Sequence, residues 1–406
     1  MIQGKQKNMR YHTITLATLF MIGMVIGCDS APARKDRPVQ ELIQERQKDD
    51  EARAAESQQL VQRLVEFTKR KLDAASTTTQ PSSPPTIDIL VISGGGDWGA
   101  FGAGVPKGWG KVTGDYARPK FDVVTGVSTG ALIAPFAFLG DDASIEQIVQ
   151  LYRHPQEDWT RSRSALYFWP SNPSFYTLPG LERDLKKVVD VPMLQRIVNA
   201  GQDGRELLFN TTNIDYGDIH VWDIVKASWD GVQANSPDAV QNLMLASAGI
   251  PGVFPSRDVG GCLYVDGAIT SNIVYGGRMK EEDSLWAVWH RKYPDAPMPR
   301  VRYWVIFNNQ FRFQPQVTQP KWPDIIGRAT IMSTQSSTVN AMRHLYAMAE
   351  IAKLKRSADV EVRVLAVPDS WVPPKPGVFI PEVMNELADL GEKLGADPGT
   401  WRTEAP

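Results

Sequence analysis

Apolar positions along the chain fall into two alternating patterns: short near-continuous runs and stripes at helical spacing. Ile87 to Ile92 (IDILVI) is the clearest run, ending in glycines as a strand buried in a parallel sheet does. Phe121 to Thr125, Arg205 to Thr211, Leu263 to Val265, Val301 to Phe307 and Val360 to Val367 read as further strands. Helical stripes lie between and after them, at Ala131 to Leu139, Ile145 to Tyr152, Pro179 to Val189, Ala239 to Ala248, Pro323 to Leu354 and Pro381 to Leu394. In the last, Val383, Leu387, Leu390 and Leu394 share a face behind Pro381, a residue suited to a first helical turn. Strands alternating with helices predict an α/β sandwich with a mainly parallel sheet.

The first fifth of the chain departs from this pattern. Lys5, Lys7 and Arg10 precede a short apolar run, Thr13 to Ile26, below the length of about 20 residues that spans a bilayer. That is the layout of an export signal. The run ends in Val25-Ile26-Gly27-Cys28, which resembles a bacterial lipobox, so cleavage is expected to leave a lipid-carrying Cys28 at the new N-terminus. The plainer alternative is an ordinary signal or anchor with an incidental cysteine. Asp29 follows, a residue that implies inner-membrane retention in some bacterial sorting systems. From Arg34 to Ala75 the sequence is highly charged with a thin apolar stripe, expected as a solvated helical stalk or a partly disordered tether. Ser76 to Pro85 (STTTQPSSPP) is a Ser/Thr/Pro linker. The expected organisation is a signal peptide over 1–27, a lipid-anchored tether and linker over 28–86, a globular domain over 87–395 and a tail over 396–406.

Composition narrows the function classes. Apolar residues are 42% and charged residues 22% of the 406, enough for a substantial core. The net charge of -2 gives no pull toward nucleic acid. Two cysteines, Cys28 and Cys262, form no CxxC, and five histidines form no HExxH, so neither a metal nor a cofactor is expected. With Cys28 lipidated, Cys262 has no disulfide partner.

Three motifs carry chemistry. Gly126-Val127-Ser128-Thr129-Gly130 sits between an apolar strand and a small-residue helix, the context of a nucleophile elbow. Ser128 is the candidate nucleophile; a structural turn serine is the bland alternative. Ser93-Gly94-Gly95-Gly96-Asp97-Trp98-Gly99 follows the first strand and leaves backbone N–H groups uncovered. Such a loop binds a phosphate or forms an oxyanion hole. It lacks GxxxxGK[ST], and no acidic residue ends a second strand about 20 residues on, which weakens a dinucleotide site. Beside an elbow, an oxyanion hole fits better. Asp266, in Tyr264-Val265-Asp266-Gly267-Ala268, closes a short apolar strand and is placed to accept a proton from a neighbouring strand end. Alone, an Asp-Gly pair is usually a turn.

GGGxxG, then GxSxG, then DG[GA], in that order, resemble the patatin-like phospholipase family. Phe121 to Gly140, Leu208 to Trp222 and Ala246 to Pro255 (ASAGIPGVFP) resemble the family's elbow, central strand and the segment before its DG[GA] strand. The resemblance implies a three-layer α/β/α fold and lipid acyl hydrolysis by a Ser-Asp dyad, with Ser128 as nucleophile, Asp266 as base and the backbone around Gly94, Gly95 and Gly96 as oxyanion hole. A lipid ester is then the expected substrate. Trp98 departs from the pattern, since the family commonly carries Arg or Lys there. A Ser-Asp-His triad through His290 or His344 is compatible with chain order, but neither lies at an evident strand end. Trp159, Tyr167, Phe168, Trp169, Phe175 and Tyr176 are expected as core and loop packing, or alternatively as an acyl groove or a membrane-facing cap. A reading from another class is a non-catalytic, membrane-anchored lipid-binding lipoprotein on a degenerate hydrolase fold.

Overall fold

The computed structural model describes residues 34–76, 84–163, 172–276, 280–356 and 358–406. The expected signal sequence, Cys28, most of the Ser/Thr/Pro linker, and Tyr167, Phe168 and Trp169 lie outside the described residues. In chain order the larger elements are α1 (Val39–Ser76), β1 (Thr86–Ile92), α2 (Gly99–Trp109), β2 (Val123–Val127), α3 (Thr129–Leu139), α4 (Asp142–Arg153), the short β3 (Arg161–Ser162) and β4 (Tyr176–Thr177), α5 (Pro179–Val188) and α6 (Val191–Gly201). They continue with β5 (Glu206–Asn213), β6 (Asp218–Asp223), α7 (Ile224–Ala234), α8 (Asp238–Ser247), β7 (Arg257–Val259), β8 (Cys262–Asp266), α9 (Leu285–Lys292), β9 (Arg300–Phe307), α10 (Trp322–Arg356), β10 (Val360–Ala366) and α11 (Pro381–Gly395).

The main sheet runs β10-β9-β1-β2-β5-β8-β7, with β6 also paired to β5. From β10 to β5 every pairing is parallel. These strands are buried on both faces, which explains their unbroken apolar runs. Against one face pack α2, α3, α4 and α11, through Phe101, Phe136, Ile148 and Leu387. Against the other pack α10, through Val339, Met342 and Leu345, and α1, through Leu64. The fold is a three-layer α/β/α sandwich.

The segment expected as a stalk or tether is therefore part of the second helical layer. In α1, Val61, Leu64, Val65, Thr68 and Leu72 are buried at spacings of three and four. Its charged residues are also spent on the domain. Arg63 pairs bidentately with Glu206 at 2.7 and 3.0 Å and reaches Asp223 at 2.9 Å. Lys71 bonds both Asp122 oxygens and the Thr86 carbonyl. Burial pushes the Glu206 carboxyl up to about 7, against the opposing pull of Arg63.

Strand β5 decides where the site lies. Its residues Glu206 to Asn210 pair with β2, ending at Val127 opposite Asn210. Its residues Thr211 to Asn213 pair with antiparallel β8, ending at Asp266 opposite Thr211. Strand β6 covers Leu208 to Asn213 and overlaps both sets, so it occupies the other edge of β5. β2 and β8 thus share one lane beside β5 and run toward each other. Ser128 follows the tip of one and Asp266 is the tip of the other.

Candidate active site

Ser128 stands at the turn from β2 into α3 with φ 54 and ψ −124. A non-glycine residue there costs about 1–3 kcal/mol and persists only where its surroundings enforce it. The flanking glycines do so by contact. A methyl at Gly126 would overlap the Gly130 carbonyl, and one at Gly130 would overlap the Ile92 carbonyl. The Ser128 N–H donates to Ser247 Oγ at 2.9 Å, and that hydroxyl donates to the Asn210 carbonyl at 2.7 Å. The positive end of the α3 dipole faces the serine.

Asp266 is held at both its backbone and its side chain. Its N–H donates to the Gly249 carbonyl at 2.9 Å, and its carbonyl accepts from Thr212 Oγ1 at 3.0 Å. Oδ1 accepts the Ala268 N–H at 2.8 Å. Burial pushes this carboxyl up to about 6, while the Ala268 N–H and the nearby Ser128 hydroxyl work in the opposite direction. The strand end therefore carries a base that is ionised at neutral pH and is poorly solvated.

The three loop glycines divide their roles. Gly94 donates its N–H to Asn272 Oδ1 at 2.9 Å, so that donor is occupied. Gly94 also lies so close to Ser128 that a methyl would come within 2.9 Å of its Cβ. Among the described residues no hydrogen bond uses the N–H of Gly95 or Gly96. Gly96 has φ +61 and open space beside it. Gly95 and Gly96 are thus the free donors, and Gly94 is the fixed post of the loop. Asn272 ties the loop onward to α10, donating from Nδ2 to Thr338 Oγ1 at 3.0 Å.

Asn272 and Thr338 lie outside every motif the sequence offered, and Ser247, within ASAGIPGVFP, was not singled out there. Nor was Asp97, buried in the glycine loop. Its Oδ2 accepts the N–H of Phe379 at 2.9 Å, and Phe379 sits at φ 56. Burial raises the Asp97 carboxyl above the usual range, and only backbone bonds pull it back. Trp98, at the position where the resemblance leads one to expect a basic residue, packs edge-on to Trp371 at 4.9 Å.

The remaining candidates are positioned elsewhere. His344 is exposed on α10 and its Nδ1 meets Tyr275 Oη at 2.8 Å, while His290 lies exposed on α9. Among the described residues no histidine bonds Ser128 or Asp266, and the buried His220 stacks on Trp222. Trp159 is a core residue that donates Nε1–H to Asp184 at 2.9 Å, and Tyr176 packs near Phe254. Cys262 is buried and forms no disulfide among the described residues. No cluster of three or more His, Cys, Asp or Glu side chains among the described residues is arranged to hold a metal.

The family described as patatin-like phospholipase matches residues 90–276. No curated protein matches the chain. Among solved structures the chain is similar to the crystal structure of VipD from Legionella pneumophila, at 11% identity and a TM-score of 0.33, over 82% of this chain and 74% of that one. The matched span opens within β1, closes after β8 and contains the glycine loop, Ser128 and Asp266: over residues 90–276 the chain is similar to the patatin-like phospholipase family, on an α/β fold.

Proposed function

We propose that this domain is a serine lipid acyl hydrolase working through a Ser128-Asp266 dyad. The observation that carries it is the end-to-end meeting of β2 and β8, which brings a strained, buried serine to a desolvated carboxylate. Asp266 removes the proton from Ser128 Oγ as Oγ attacks the ester carbonyl carbon. The N–H groups of Gly95 and Gly96 receive the oxyanion, each donor of this kind lowering the barrier by about 3 kcal/mol. Collapse of the tetrahedral species breaks the ester C–O bond, and the departing alkoxide takes the proton back from Asp266. Water then attacks the acyl-serine with Asp266 again as base, releasing the carboxylic acid and restoring Ser128.

The match to a patatin-like phospholipase family supports a lipid ester as the substrate class. The packing of Trp98 against Trp371 leaves the glycine loop without a basic side chain of its own at that position, so the proposed oxyanion stabilisation is by backbone dipoles alone. The Val25-Ile26-Gly27-Cys28 sequence supports an exported protein anchored to a bacterial membrane through lipidated Cys28, which would hold the enzyme at its substrate. A fluorophosphonate probe tests the nucleophile. The full chain should label at Ser128, Ser128→Ala should not label, and Asp266→Asn should label at least about a hundredfold more slowly, in line with loss of a general base. A wild-type chain that hydrolyses a soluble ester but fails to label, or labels elsewhere, overturns the dyad.

A further inference from the structure

Helix α10 is longer than the layer it belongs to. Its C-terminal two-thirds lie on the sheet through Val339, Met342, Leu345 and Ala349. Gln335 marks where that packing begins: its Nε2 donates to the Gln310 carbonyl at 2.6 Å, just beyond the end of β9. The helix runs opposite to the parallel strands, so everything before Gln335 overhangs the end of the sheet at which Ser128 stands. Trp322 to Ser333 is exposed except for the half-buried Arg328. At 1.5 Å per residue this overhang is about 18 Å long.

The overhang is apolar where a solvated helix would be polar. Trp322, Ile325, Ile326, Ala329 and Met332 recur at spacings of three and four, which sets them on one stripe. The four large members are 42–72% exposed, and Val317 in the preceding loop is 89% exposed. One flank of the stripe is braced: Arg328 donates to the Gln314 carbonyl at 2.9 Å and lies over the Phe313 ring, while Ile331, on the far side, is also exposed. The stripe is therefore presented by a supported helix. Its base is linked to the site, since Thr338 holds Asn272, which holds Gly94.

The N-terminus leaves the fold at this same end. Arg34 bonds Asp215, in the turn after β5, at 2.8 and 2.7 Å, and the Gly261 carbonyl at 2.7 Å. Cys28 stands six residues before Arg34, so the chain between them reaches at most about 20 Å. Arg34, the first described residue, the glycine loop and the bare apolar stripe all belong to one end of the described structure.

We propose that the overhang of α10 docks into a lipid surface, inserting Trp322, Ile325, Ile326 and Met332 among the acyl chains and headgroups. A Trp-containing apolar stripe flanked by Arg328 and preceded by Lys321 suits the boundary between the two. This inference rests on the lipid ester reading of the site, and it turns the mouth of that site toward the layer holding the substrate.

Hydrogen exchange tests it without catalysis. In the full chain carrying Ser128→Ala, vesicles of phosphatidylethanolamine and phosphatidylglycerol should slow exchange across residues 322–333 about tenfold or more, as insertion at an interface requires. Unchanged exchange with vesicles bound overturns the docking, whether or not the wild type hydrolyses esters. Protection that appears without vesicles and grows with protein concentration also overturns it, by assigning the face to a second copy. In the active chain, Trp322→Ser combined with Ile325→Ser and Ile326→Ser should cut vesicle hydrolysis about tenfold while leaving a soluble short-chain ester within about twofold. Equal losses on both substrates would count against docking, and a wild type inert on both would instead sink the hydrolase reading.

Discussion

At the scale of single residues, Asp266 carries opposing demands. It must be ionised to take the Ser128 proton, yet its burial lifts its carboxyl to about 6. With a folded value above the unfolded one, the protonated form is what the fold favours. Its contribution to stability is complete below the unfolded value near 4 and is lost as pH rises through about 6. Above that, the native state carries a strained charge. Asp266→Asn is expected to slow labelling at least about a hundredfold while raising stability near pH 8 by up to about 3 kcal/mol, a gain that vanishes near pH 4. Thermal melting of both chains across that range checks it. On a soluble ester, kcat/KM should rise with pH through about 6 as the base ionises. Ser128 and Asp266 were legible in the sequence because their chemistry fixes the residue type and the strand-end position. The distribution of loop donors was not. Gly94 is occupied only because Asn272 arrives from 178 residues away, and no local pattern reports that.

At the scale of elements, α2 and α11 are the instructive pair. Helix α2 holds four glycines and Pro106 in eleven residues, a composition that local propensity rejects as helix. Its glycines are contact surfaces. A methyl at Gly104 would overlap the Ala388 carbonyl, and one at Gly108 the Glu392 carbonyl. In α11, Gly391 and Gly395 abut the backbone of Phe101 and Val105 in the same way. Close backbone approach here outweighs the cost of about 1 kcal/mol per helical glycine. Gly104→Val should destabilise by about 3 kcal/mol or more by forcing the helices apart, whereas Gly110→Ala, just past α2 with its nearest neighbours at 3.5 Å, should stay within about 1 kcal/mol. Urea unfolding separates the two. The parallel strands β1, β2, β5, β9 and β10 were readable because burial on both faces leaves a continuous apolar run. β6 and β7 escaped notice because both are short and polar, Asp218 and Asp223 bounding β6 and Asp258 standing in the middle of β7. Helix α2 escaped because the force that makes it a helix lies in its partner.

At the scale of the whole molecule, the domain is larger than its recognisable motifs. β9, between β1 and β10, comes from residues after the matched span, and α1 comes from before it. A chain beginning at Ile87 would lose a second-layer helix. It would uncover the sheet where Leu64 lies and leave Glu206 and Asp122 without Arg63 and Lys71. Such a chain is expected to melt several degrees lower than the full one and to bind a hydrophobic dye; an unchanged melting curve would return α1 to the status of a tether. The stripe in α1 was visible, but its charges suggested a face turned to water. Which charges meet water and which meet partners on the domain depends on the folded surface opposite them.

The shared lane beside β5 has a consequence for how such a protein can vary. The separation of Ser128 and Asp266 is set by register against one strand and owes nothing to the length of chain between them. A slip of β8 by one residue would turn Asp266 to the other face, and a slip by two would carry it about 7 Å along the lane. Loops between β2 and β8 can accordingly lengthen, shorten or acquire whole subdomains at little cost to the chemistry. Thr211, Thr212 and Asn213 have no such freedom, because they are the graduations on the ruler.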